Sequence, residues 1–213
     1  MFVLCALKSS EGKTQLTCGL AFIFYLIKLR IETCKIGPDY IDVINIGQIS
    51  NNPTINLLVY LNYKIATWFL WIERMGLIED NMGLLDGISH AYTINTCVLL
   101  SYNKNKFLLI LNCKSSQQTN ICIASALWSL SSGLILNNIT SYKHEGSLLL
   151  ELKSFRSPLI YGLLYKNIIL SIGNRYLGLI RFAETDLNTK DYLTLLIKQT
   201  FNQCNIRWII STK

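Results

Sequence analysis

The chain has 213 residues, with 20 Lys and Arg against 13 Asp and Glu, a net charge of +7 and a sequence pI near 9.0. With 51% hydrophobic and only 15% charged residues, against about 25% charged in an average domain, disorder is excluded, and a core of this size needs no disulfide or metal staple. The mean hydropathy of +0.33 does not imply a membrane span, because the longest candidate, 16–27, is interrupted by Thr17 and Gly19 and closed by Lys28, where roughly 20 apolar residues are required.

Residues 2–7 read as a buried strand; they are too short for a signal-peptide core and lack its basic flank and cleavage site, so a cytoplasmic location is expected. Residues 13–29 read as a long helix and 30–35 as a second strand, bounded by the turn signal Gly37-Pro38-Asp39. The stretch 56–74 is apolar at near-helical spacing and carries Tyr60, Tyr63, Trp68 and Trp71. A further strand leads into Glu79, just before Met82-Gly83. Strands at 107–111, 133–136 and 158–164 follow, with a helix at 120–130. No repeat and no Gly/Ser or Pro linker divides the chain, so 1–213 is expected to be one unit. Short apolar strands alternating with helices predict an α/β fold, a mostly parallel sheet with helices on both faces. In such sheets ligands sit at the carboxyl ends of the strands.

Seven cysteines (Cys5, Cys18, Cys34, Cys97, Cys113, Cys122 and Cys204) form no C-x-x-C pair and are odd in number. They read as reduced, small hydrophobes. His90 and His144 lie far apart, which argues against a zinc hydrolase.

Three segments carry chemistry. After the first strand comes Lys8-Ser9-Ser10-Glu11-Gly12-Lys13-Thr14, with a helix starting at once. Backbone N–H groups at such a helix start face phosphates, a lysine reaches the β and γ oxygens, and a threonine hydroxyl takes Mg²⁺. The standard pattern wants glycine where Leu7 stands, and taken alone Gly-Lys-Thr also fits an ordinary helix N-terminus. Lys8 stands where partition and cell-division ATPases carry a second lysine. The next segment is Lys35-Ile36-Gly37-Pro38-Asp39-Tyr40-Ile41-Asp42. Its carboxylates, three apart, suit Mg²⁺ or an amine nucleophile, or else Asp39 simply caps a turn. The last is Glu79-Asp80-Asn81-Met82-Gly83-Leu84-Leu85-Asp86-Gly87, whose acids at a strand end could complete a metal site and whose glycines permit close backbone approach.

In this order the three segments resemble the ATP-dependent synthetase domain of cobyrinic and hydrogenobyrinic acid a,c-diamide synthases, and more distantly dethiobiotin synthetase. The family strings are a phosphate loop ending G-K-T, then K-x-G-P-D-Y-I-D, then E-G-x-M-G-L-x-D-G. The run Gly133-Leu134-Ile135-Leu136-Asn137-Asn138-Ile139 resembles G-V-I-L-N-R-V, and Arg175-Tyr176-Leu177-Gly178-Leu179 with Ala183-Glu184 resembles R-H-L-G-L-x-x-A-E. The resemblance spans about 2–184 and implies a P-loop NTPase-like fold.

The resemblance also implies a ligase of cobalamin biosynthesis that activates the a and c corrin carboxylates with ATP as acyl phosphates, which ammonia converts to amides. Ser9, Ser10, Glu11, Gly12, Lys13 and Thr14 would bind ATP, with Asn137 at the adenine. Thr14, Asp42 and Glu79 would hold Mg²⁺, and Asp39 and Asp86 would act at the acceptor carboxylate and its ammonia. The expected partners are a corrin polycarboxylate, a separate glutaminase subunit and a second copy of the chain, with neither nucleic acid nor membrane.

The chain also departs from the family. It stops at Lys213 without the glutaminase domain, so ammonia is expected from solution or from another subunit. The aspartate of V-V-D is Asn112, N-L-D is Asn56-Leu57-Leu58, Glu79 is followed by Asp80, Ala6 replaces the first loop glycine, and the stretch after Gly87, around Ser89, is abbreviated. Two other readings stay open: a partition-type nucleotide switch, which has no use for Asp39, Asp42 and Asp86, and a remnant that binds a partner without catalysis.

Overall fold

The sequence Phe2–Ala6 (β1) is buried along its whole length, as a strand with apolar side chains on both faces must be. The computed structural model describes residues 2–37, 39–57, 76–80, 82–84, 106–114, 132–154, 159–170 and 189–211. Within them β1 is joined by β2 (Glu32–Ile36), β3 (Thr54–Leu57), β4 (Gly76–Glu79), β5 (Lys106–Asn112), β6 (Gly133–Ile139) and β7 (Ile160–Tyr165) in one seven-stranded sheet of order β3-β2-β4-β1-β5-β6-β7. Every pairing between these strands is parallel. All carboxyl ends therefore lie along one rim.

The helices are α1 (Lys13–Leu26), α2 (Tyr40–Ser50), α3 (Tyr142–Ser154), α4 (Thr189–Gln203) and α5 (Ile206–Ser211). Alternation along the strands divides the core into two. Phe2, Leu4, Ala6, Leu108, Ile110 and Ile135 pack with Leu16, Leu20 and Phe24 of α1 and Leu196 of α4. Val3, Cys5, Leu109, Leu111, Leu134 and Leu136 pack on the other face, against Leu148 and Leu152 of α3. The expected α/β architecture, with helices on both faces of a parallel sheet, is what the chain forms.

Helix α1 packs closely on α4 because Gly19 lies against Thr200; a Cβ there would collide with the threonine hydroxyl. It ends at Leu26, three residues before its expected end. Lys28 turns left-handed at φ 57, and the amides of Ile27, Lys28 and Leu29 fold back onto the carbonyls of Ile23, Tyr25 and Phe24. Helix α2 follows a string that reads only as a turn: Asp39 caps it by accepting from the Asp42 amide at 3.2 Å. Strand β3 opens the apolar stretch expected at 56–74. The rest of that stretch, the helix expected at 120–130, and the strings around Asp86, Ser89 and Arg175 to Glu184 lie outside the described residues. Cys5, Cys18, Cys34, Cys113 and Cys204 are free and buried, as expected for reduced thiols, and burial pushes the Cys113 and Cys204 thiols up to about 12. Among the described residues no helix is long and apolar enough to cross a membrane.

Candidate active site

The phosphate-loop segment runs from the end of β1 into α1. Gly12 is the N-cap of α1 with φ 96 and, having no side chain, supplies no side-chain cap to the first-turn amides. Ser9 and Ser10 are exposed, whereas Glu11 and Lys13 are buried. Glu11 Oε2 accepts from the Leu7 amide at 3.2 Å across the base of the loop, and burial raises its carboxyl above the usual range. Lys13 Nζ donates to the Met82 carbonyl at 2.6 Å and to the Lys8 carbonyl at 3.4 Å. Burial lowers its ammonium from the ordinary lysine value, against the pull of Asp80 and Glu79.

The acids of the second and third segments meet at Thr14. The Thr14 hydroxyl lies 2.6 Å from Glu79 Oε1 and 3.0 Å from Asp42 Oδ2. Register explains the meeting: Glu79 stands beside Leu4 of β1 and Lys35 of β2, so the ends of three adjacent strands converge on one point. Lys35 fills that point. Its Nζ donates to Glu79 Oε1 at 2.6 Å and to Asp42 Oδ2 at 2.9 Å, and lies 4.0 Å from Asp39 Oδ2. Burial works against its charge, but the Glu79 and Asp42 carboxylates outweigh it and hold the ammonium above its ordinary range. Asp39 is raised, by burial first and then by the neighbouring Asp42, and its side chain is 30% exposed.

The expected Mg²⁺ ligands Thr14, Asp42 and Glu79 are thus brought together. Asp42 Oδ1 and Glu79 Oε2 are buried with no hydrogen-bond partner, so each carboxylate has an oxygen to offer. Among the described residues no cluster of three or more His, Cys, Asp or Glu is built to hold a metal unaided. Two carboxylates and a hydroxyl form the smaller oxygen set with which Mg²⁺ is bound when phosphates and water supply the remaining ligands. The residues fit the ion. Asp39 sits at the edge of the same cluster, and Asp86 lies outside the described residues.

Asn137 lies apart from the acids, at the end of β6. Its Nδ2 donates to the Glu11 carbonyl at 2.9 Å and its Oδ1 accepts from the Asn138 amide at 2.9 Å. Asn112, the departure at the end of β5, accepts at its Oδ1 from Asn138 Nδ2 and from the Lys114 amide, both at 3.1 Å. Lys35 and the Met82 carbonyl are site groups that no sequence expectation covers. For Lys35 the signal was present, since a lysine inside a strand buried in a parallel sheet needs an anionic partner. For a backbone carbonyl there is no such signal.

No family model matches the chain. It is similar to cobyrinate a,c-diamide synthases of several organisms. The protein of Listeria monocytogenes is 27% identical over 201 residues, covering 88% of this chain and 44% of the relative. That of Synechocystis is 29% identical over 195 residues, covering 83% and 39%, and that of Sulfolobus acidocaldarius 29% over 195 residues, covering 87% and 44%. The chain spans less than half the length of these curated relatives. In fold it matches the MinD cell division protein of Aquifex aeolicus, with a TM-score of 0.55 at 13% identity and coverage of 95% and 97%. It also matches chloroplast FtsY of Physcomitrella patens, with a TM-score of 0.54 at 14% identity and coverage of 92% and 64%. Along most of its length the chain therefore resembles the cobyrinate a,c-diamide synthases, in a fold like that of MinD and FtsY.

Proposed function

We propose that the chain is the synthetase portion of an ATP-dependent amidoligase that uses ammonia to convert the a and c carboxylates of a corrin to amides. The observation that carries this reading is the convergence of Thr14, Asp42, Glu79 and Lys35 beside the Gly12-Lys13-Thr14 helix start. The resemblance to cobyrinate a,c-diamide synthases supplies the substrate class. The MinD-like fold by itself does not discriminate between a ligase and a partition-type nucleotide switch. Asp39, an extra carboxylate at the rim of the phosphate site, suits chemistry on an acceptor.

The α1 N-terminus and Lys13 hold the triphosphate, the former through its backbone amides and the helix dipole, the latter by moving from the Met82 carbonyl to the phosphates. Thr14, Asp42 and Glu79 would hold Mg²⁺, which would supply charge neutralisation at the transferred phosphoryl group. A corrin carboxylate oxygen attacks the γ phosphorus as the bond to the ADP oxygen breaks, giving an acyl phosphate. Ammonia then adds to the acyl carbon, loses a proton, and expels phosphate. Asp39, half-buried with a raised carboxyl, stands at the rim where that proton is taken up. Catalysis by such a site is chiefly positioning and charge neutralisation.

The test is a single turnover of the chain with a corrin bearing free a and c carboxylates labelled with ¹⁸O, MgATP and ammonium chloride. One ¹⁸O in the released phosphate for each amide formed is expected. ATP hydrolysis that is indifferent to the corrin, without amide or label transfer, overturns the reading.

A further inference from the structure

We propose that Asn137 is a positioning residue that latches the phosphate loop in its anion-binding form, acting on phosphate affinity and not on the nucleobase. The proposal rests on the reading that residues 8–14 hold a triphosphate. It starts from one peptide plane. The Glu11 carbonyl points at Asn137 Nδ2, 2.9 Å away. In a planar trans peptide the C=O and the following N–H point in opposite directions, so the Gly12 N–H is turned away from Asn137. If that plane flipped, a carbonyl oxygen would replace an N–H among the groups that face a phosphate.

The chain has invested in that orientation from both sides. Gly12 takes φ 96, a conformation open to glycine, and a Cβ on it would collide with the Asn137 amide nitrogen. The loop therefore lies directly on the asparagine, which is 7% exposed. The asparagine amide is itself fixed. Its Oδ1 takes the Asn138 N–H, so rotating the amide would set Nδ2 against that donor and Oδ1 against the Glu11 carbonyl. Behind it, Asn138 is left-handed at φ 63 and donates to Asn112, while the Asn137 carbonyl accepts from the Cys113 amide at 2.8 Å. The ends of β5 and β6 thus hold one side chain, and that side chain holds the loop.

The experiment uses the full chain carrying Asn137→Asp, which keeps the volume and the acceptor for Asn138 but sets an oxygen against the Glu11 carbonyl. Asn137→Ala serves as a second variant should the first not fold. Calorimetry with MgATP, MgGTP and inorganic tripolyphosphate is expected to show all three weakened by a common factor of about tenfold or more, with the ATP to GTP preference unchanged. Hydrogen exchange of the amides of residues 9–14 without any ligand should accelerate in the variants. Unchanged tripolyphosphate affinity with a collapsed ATP preference would make Asn137 a base reader and overturn the proposal, as would unchanged exchange in the loop. A parent chain that binds none of the three ligands refutes the phosphate-loop reading instead, and the exchange data still decide the latch.

Discussion

The site has two halves built from opposite materials. Over β2 and β4 lie buried charges: Lys35 against Asp42 and Glu79, with side-chain exposures of 3%, 5% and 0%. Over β5 and β6 lie three neutral amides, Asn112, Asn137 and Asn138, linked to one another and to the loop backbone. A neutral amide that uses both its ends can fix a backbone plane with no desolvated charge to compensate. A buried cluster of one cation and two anions is only partly compensated, and its spare oxygens Asp42 Oδ1 and Glu79 Oε2 remain unpaired. One half holds a shape, and the other holds an excess of negative charge ready for a cation.

The largest effect expected from breaking this contrast is on the charged half. Lys35→Met leaves two buried carboxylates facing each other without their cation, and breaking a buried ion pair typically costs about 3–5 kcal/mol. At roughly 2–4 °C per kcal/mol for a chain of this size, the melting temperature should fall by about 10 °C. Millimolar Mg²⁺ should restore more of that loss in the variant than it adds to the parent. A variant that melts like the parent and ignores Mg²⁺ would mean that the carboxylates are not mutually strained. Next in size is Gly12→Ala, which strikes the contact between the halves. It combines a left-handed φ with the collision against Asn137. We expect a loss of about 1–3 kcal/mol in stability and loss of measurable ATP binding by calorimetry.

How far the sequence carried this picture follows the same division. Strand and helix alternation was legible because parallel-sheet strands are continuous apolar runs, and β1, β4 and β5 fall where such runs stand. The acids were legible because charges at strand ends are conspicuous, and Thr14, Asp42 and Glu79 do meet. Helix α2 was not, because Gly37-Pro38-Asp39 announces a turn while the cap that makes Asp39 a helix start depends on where the Asp42 amide lies. Helices α3 and α4 were missed altogether: α3 buries only Leu148 and Leu152 among its polar neighbours, a sparse pattern to read. The link between Asn137 and Glu11 spans 126 residues, and the Lys13 link to Met82 ends on a carbonyl. Neither follows from local spacing.

Two smaller predictions sharpen the comparison within the loop itself. Glu11→Gln keeps the acceptor for the Leu7 amide and removes a buried charge. Because burial raises the native carboxyl above its ordinary value of 4.5, the native state holds its proton longer than the unfolded chain does. The parent then loses stability as pH rises through the native pKa, and the glutamine variant does not. The variant's melting temperature relative to the parent should therefore climb with pH above about 4.5 and level off once the native carboxyl is ionised. A flat difference across that window would mean that Glu11 titrates as an ordinary carboxyl.

The smallest effect is expected at Ser10. This exposed residue holds φ 61 without being glycine, and the left-handed region costs an L-residue with a Cβ roughly 1 kcal/mol. Ser10→Gly removes that cost but adds freedom to the unfolded chain, which returns part of the gain. The net expectation is a stabilisation of about 0.5 kcal/mol, or about 1–2 °C in melting temperature. ATP affinity should be kept or slightly raised, because the loop then reaches its bound form with less strain. The same change at Lys8, exposed and outside the left-handed region, should do the reverse, since glycine there relieves no strain, adds disorder and removes a charge that favours the Glu11 carboxylate. If both glycine variants destabilise equally, Ser10 carries no strain, and the neutral half of the site holds a loop already at rest.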